Sequence, residues 1–148
     1  MRRYTLLSLL TAVLLTTLTG LVATAGPAAA TTTRAARMIE KINDARAAHG
    51  LRPLKAAPDL MTAAHSHSVL MAGQNLLFHT STLSSLCCWR LIAENVGEGS
   101  TLTIVHRAFM HSAPHRANIL NSHVGQVGVG VVWSGGMLWV TEIFRQHS

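Results

Sequence analysis

The stretch from Ala93 to Trp133 sets the tightest limits on what this chain can fold into. Ile92 to Val96 reads as a brief strand or extended segment, and within it Ala93-Glu94-Asn95 carries one carboxylate. Gly97-Glu98-Gly99 loosens the backbone. Ser100 or Thr101 can then cap a helix whose Leu102, Val105, Ala108 and Phe109 share a face. Pro114 removes a helical donor, so Ser112-Ala113-Pro114-His115 breaks that helix, and one or two further turns reach Leu120. Gln126 to Trp133 alternates as a strand, Ser134-Gly135-Gly136 is a hairpin turn, and Met137 to Phe144 returns as the partner strand.

The half before this stretch is helical. Met38, Ile39, Ile42 and Ala45 recur at helical spacing within Arg34 to His49, and Gly50 stands where a left-handed cap belongs. Leu51-Arg52-Pro53-Leu54 is a short extended link. Pro58 suits the first turn of a second helix, which runs through Leu60, Met61, Ala64, Ser68 and Met71 to about Ala72. Gly73 or Asn75 ends it. Residues 76–91 lack a period and read as loop. Helices packed on a small antiparallel sheet give an α+β fold.

Residues 1–30 read as a secretory signal. Arg2 and Arg3 precede the apolar run Leu6 to Leu18, and Ala28-Ala29-Ala30 offers a small-residue cleavage site. A membrane-spanning helix needs roughly 20 mostly apolar residues. Leu6 to Ala25 has that length, but Thr, Gly and Ser dilute it. Cleavage near Ala30 is expected, leaving a secreted chain with no stable span. Residues 31–36 are expected to be disordered, followed by one domain over 37–146. The remaining 118 residues of 148 can bury an ordinary core. Without Arg2 and Arg3, ten Lys and Arg face six acids, scattered and without interleaved aromatics. That pattern excludes a nucleic-acid interface and leaves weak attraction to anionic wall polymer or lipid headgroups.

Cys87 and Cys88 are the only cysteines and are adjacent. A trans peptide holds neighbouring Cα atoms about 3.8 Å apart, whereas relaxed disulfides want about 4.4–6.8 Å. Two thiols, both buried or one packed and one exposed, are the plain expectation, and a redox switch is the sharper one.

Several fragments, in order, resemble one family. Ile42-Asn43-Asp44-Ala45-Arg46, Leu51-Arg52-Pro53-Leu54, Phe78-His79-Thr80, Ala93-Glu94-Asn95, Ser112-Ala113-Pro114-His115-Arg116 and Val127-Gly128-Val129-Gly130 are similar to motifs of the CAP superfamily. These are the cysteine-rich secretory, antigen 5 and pathogenesis-related proteins, whose domain is also called SCP; the likeness is to the short bacterial members. The resemblance implies an α-β-α sandwich, a small antiparallel sheet between helical layers. It also implies a central cleft of two histidines and a glutamate, here His79, Glu94 and His115, with Asn95 beside them. Many members place a second glutamate in the helix before the later histidine, but Val105 to Ser112 contains none.

Two imidazoles and a carboxylate can hold zinc and leave a position for water. In that reading His79 and His115 are the metal ligands, and Glu94 is the third ligand or the catalytic general base. The plainer reading is a hydrogen-bonded polar cluster. His65 and His67, two apart on a helix, face different ways, and His106 reads as a solvated helix residue. Asp44 and Asp59 sit on packing helices, so no Ser-His-Asp set is available. The expected function is binding, outside the cell or at its envelope, by a monomer. The resemblance implies as ligand a lipid or sterol-like molecule, a wall component or a protein. A zinc-assisted, peptidase-like hydrolase and a secreted scaffold with a vestigial cleft are the alternatives.

Overall fold

The computed structural model describes residues 27–147, with side chains over 33–146. The apolar run expected to act as a signal lies outside the described residues. Helix α1 spans Pro27–Ala48, β1 Lys55–Ala56, α2 Pro58–Gln74, β2 Trp89–Gly99, α3 Leu102–His111 and α4 Ala113–Ile119. A hairpin, β3 Gln126–Ser134 and β4 Met137–His147, completes the chain. The strands form one sheet in the order β1-β3-β4-β2.

Strand alternation sorts the core into two layers. Val127, Val129 and Val131 of β3 and Leu138, Val140 and Phe144 of β4 meet Met38, Ile42, Val105, Phe109 and Ile119 from α1, α3 and α4. On the other face, Ile143 meets Leu60 and Ala64 of α2. This is the expected α-β-α sandwich. The expectation of a wholly antiparallel sheet needs correction: β2, β3 and β4 pair antiparallel, but β1 pairs parallel with β3.

Two glycines let α2 lie on the sheet. A Cβ on Gly128 would stand 2.2 Å from the Leu60 backbone, and one on Gly130 would stand 2.1 Å from the Ala64 carbonyl oxygen. Ser68 Oγ then donates to Thr141 Oγ1 across the same contact at 2.9 Å. Asn75, at φ 50°, ends α2 in the left-handed region.

The opposite layer is pinned by Arg46, which is 1% exposed. Its Nε donates to the Arg52 carbonyl at 2.9 Å, and its Nη1 donates to the carbonyls of Ile119 and Asn121 at 2.8 Å each. Asn43 exchanges two hydrogen bonds with the Leu54 backbone. The Asn-x-x-Arg fragment of α1 thus ties the link to β1 and the end of α4 to one helix.

Residues 31–36 are helical rather than disordered, and Ala35 is buried in the core. Strand β2 is longer than the brief segment expected. Gly97 and Gly99 do not break it. They admit Phe109 and Val105, whose atoms would lie 2.7 Å and 2.9 Å from an added Cβ. Cys87 and Cys88 are bonded to each other and exposed, not buried thiols. Cys88 takes φ 65° just before β2 begins, and the Cys87 carbonyl accepts from Arg145 Nη1 at 3.1 Å.

Gly130→Ala is expected to lose about 3 kcal/mol or more, because the obstacle is α2 backbone that cannot rotate away. Gly73, inside the same helix, has nothing within 4 Å of an added Cβ. Gly73→Ala is expected to gain up to about 1 kcal/mol. Urea unfolding of the two variants against the parent checks both signs.

Candidate functional site

Neighbouring residues on a strand point to opposite faces, and β2 is the edge strand beyond β4. Glu94 and Asn95 therefore serve different sides of the sheet. The Glu94 side chain turns to the α2 side, where Oε1 accepts from His79 Nδ1 at 2.8 Å and from the Thr80 backbone N–H at 3.0 Å. Asn95 turns to the α4 side. Its Nδ2 donates to the His115 carbonyl at 3.2 Å and to Glu142 Oε2 at 3.0 Å, and its Oδ1 accepts from Asn118 Nδ2 at 2.9 Å. Asn118 also donates to the Glu94 carbonyl at 3.3 Å. The site straddles the free edge of the sheet, one histidine approaching from each face.

His79 presents 64% of its side chain to solvent, while the Glu94 side chain keeps only 3%. The bond through Nδ1 leaves Nε2 as the outward atom and fixes the ring's orientation. His115 is half-buried and packs on Phe109, ring centroids 5.0 Å apart. Burial lowers its pKa, and the nearby His79 lowers it further, so this imidazole stays neutral at neutral pH. Of the four residues expected in the cleft, His79 and His115 face solvent, Glu94 orients His79 from behind, and Asn95 is fully buried. Asn95 holds the backbone that carries His115 rather than lining the cleft.

Glu94 Oε1 is committed to two donors, and Oε2 is buried with no hydrogen-bond partner. Among the described residues no group of three His, Cys, Asp or Glu side chains is arranged to hold a metal ion. A catalytic zinc keeps three protein ligands. The donor set among the described residues falls short of that.

A hollow of about 210 Å³ adjoins the cleft. Thr80 belongs to both, and Ile143, the strand partner of Glu94, lines its floor. Its remaining walls include Leu70, Leu83 and Leu86, with His67 as a polar element. His67 Nε2 donates to the Phe78 carbonyl at 2.7 Å, and its ring meets Phe78 edge-on, 5.0 Å between centroids. It anchors the loop that delivers His79. His65 is exposed, as the helical spacing requires. His106 is half-buried rather than solvated, and burial lowers its pKa.

Glu142 escaped the sequence reading. It is 0% exposed, its Oε1 has no partner, and burial pushes its pKa up to about 8. Its place between Val140 and Phe144 on an alternating strand was the available signal, because both neighbours face the core. At neutral pH it is a neutral acid beneath Asn95. A folded-state pKa above the unfolded value of 4.5 gives stability that is full below that value and is lost as pH rises towards 8. Within that window the chain is expected to lose up to about 1.4 kcal/mol per pH unit through this group. Glu142→Gln is expected to remove the slope, as read by urea unfolding at pH 5 and pH 8.

Comparison with known proteins agrees with this fold. Residues 39–143 match the model of the cysteine-rich secretory protein family, CAP. The uncharacterised protein YkwD of Bacillus subtilis is 31% identical over 116 residues, covering 72% of this chain and 45% of its own length. An extracellular SCP-domain protein of Bacillus anthracis superposes with a TM-score of 0.71 at 22% identity, over 81% of this chain and 42% of that one. An outer surface protein of Borrelia burgdorferi gives 0.69 at 16% identity, over 76% of this chain and 92% of that one. This chain thus spans less than half the length of the two Bacillus proteins. No helix among the described residues is long and apolar enough to cross a membrane. On the family match, the ordered motifs and the sandwich they build, the chain belongs to the cysteine-rich secretory protein (CAP) family.

Proposed function

We propose that this CAP domain is an extracellular or envelope-facing binding module, and that its ligand is an amphiphile. One observation carries the reading: the outward Nε2 of His79, held by Glu94, stands beside a mostly apolar hollow that shares Thr80 with the cleft. A polar headgroup would take hydrogen bonds from His79 and neutral His115, and an apolar end would enter between Leu70, Leu83 and Leu86. Drug-sized ligands fill pockets of about 300–1,000 Å³. A volume of about 210 Å³ suits a short acyl or prenyl-like end better than a whole sterol-sized body. Secretion is supported by the signal-like first thirty residues and by the extracellular Bacillus anthracis relative. Binding rather than hydrolysis is supported by Glu94, whose carboxylate is enclosed and committed to holding His79.

Calorimetric titration with short-chain phospholipids and lipid-linked wall fragments tests this. At least one amphiphile is expected to bind. Leu70→Trp, which fills the hollow from an exposed position, and the pair His79→Ala with His115→Ala are each expected to weaken it about tenfold. Silence across the panel, together with zinc-dependent peptide hydrolysis that Glu94→Ala abolishes, would reverse the reading in favour of a hydrolase.

A further inference from the structure

Three of the chain's cations gather at one place. Arg34, Arg37 and Lys41 recur at helical spacing on α1 and line one hollow of about 350 Å³. Trp133, at the end of β3, forms another wall, and Ser100 and Thr103 bring hydroxyls from the start of α3. Among the described residues no carboxylate lies within ion-pairing distance of the three cations. Trp133 is 51% exposed, whereas Trp139 on the partner strand is 3% exposed. None of His79, Glu94 and His115 contributes to this hollow.

We propose that this hollow binds an anionic saccharide, a sugar bearing phosphate or carboxylate groups. Three unpaired cations at one concave place concentrate positive potential on an anion. The two guanidinium groups offer paired N–H donors that match phosphate and carboxylate oxygens. The exposed indole offers a flat apolar face to the C–H side of a sugar ring and an N–H at its edge. Ser100 and Thr103 can donate to or accept from sugar hydroxyls. The volume falls in the range of small-ligand sites, about 300–1,000 Å³. A lipid surface is met instead by a protruding apolar helix face, and single-stranded nucleic acid by several aromatic platforms. A lone indole set in a recess fits neither.

The purified chain is titrated calorimetrically with phosphorylated dextran oligosaccharides, with unmodified dextran, inorganic polyphosphate and anionic phospholipid vesicles as the other arms. Phosphorylated dextran is expected to bind, and to bind more weakly as salt is added. Replacing Arg34, Arg37 and Lys41 by alanine is expected to weaken binding about tenfold or more. Trp133→Ala is expected to cost about tenfold for phosphorylated dextran and to leave polyphosphate binding unchanged. His79→Ala is expected to alter neither. If circular dichroism shows the triple variant unfolded, Arg37→Glu, at an exposed position, carries the charge test with the same expected loss. Undiminished binding by these charge variants overturns the proposal. So does polyphosphate or vesicle binding as tight as that of phosphorylated dextran, or the absence of any binding to phosphorylated dextran.

Discussion

A buried arginine without a carboxylate partner governs the layer that carries half of the site. Arg46 has three carbonyl acceptors, and two of them belong to residues 119 and 121, at and just beyond the end of α4. A guanidinium that is 1% exposed must find such acceptors or leave the interior. Burial lowers its pKa, with Arg52 adding to the effect, and the carbonyls offset that cost without a second buried charge. The end of α4 is thereby placed against α1. With α4 placed, Asn118 reaches Asn95 and the Glu94 carbonyl, and His115 arrives at the sheet edge. The chain of causes runs from one helix to a histidine some seventy residues away.

The second organising constraint is the two-residue alternation of β2. Because Glu94 and Asn95 are consecutive, one strand can hold a histidine loop on one face and a helix on the other. Helix α2 needs the missing side chains of Gly128 and Gly130 to lie close enough for its loop to bring His79 to Glu94. The buried acid Glu142 completes the support from beneath. The cleft is therefore a product of both layers.

Much of this was legible in the residues. The helices, the hairpin turn at Gly135 and Gly136 and the Thr101 cap follow from spacing and capping chemistry, because each depends on neighbours in the chain. The pairing of His79 with Glu94 came from a family resemblance, since no local rule joins a loop to a strand fifteen residues later. What was misread had physical reasons too. Gly97 and Gly99 look like breakers, but in a strand a glycine also marks a close approach, here by Phe109 and Val105. An acid on a strand reads as solvent-facing, so Glu142 stayed hidden until its neighbours showed which face it shared. Asn95 looked like a cleft residue because it follows Glu94, and alternation sends it the other way. The cysteines looked like thiols because neighbouring Cα atoms stand closer together than a relaxed disulfide holds them.

The place of the cleft on the sheet has one more consequence. An eleven-residue outermost strand exposes a row of unpaired peptide groups, an invitation to join strands of other molecules. Here α4 lies along that border, and the Asn118 amide occupies the Glu94 carbonyl. The helix that presents His115 thus also covers part of the open border that would otherwise be free to pair with a strand of another molecule.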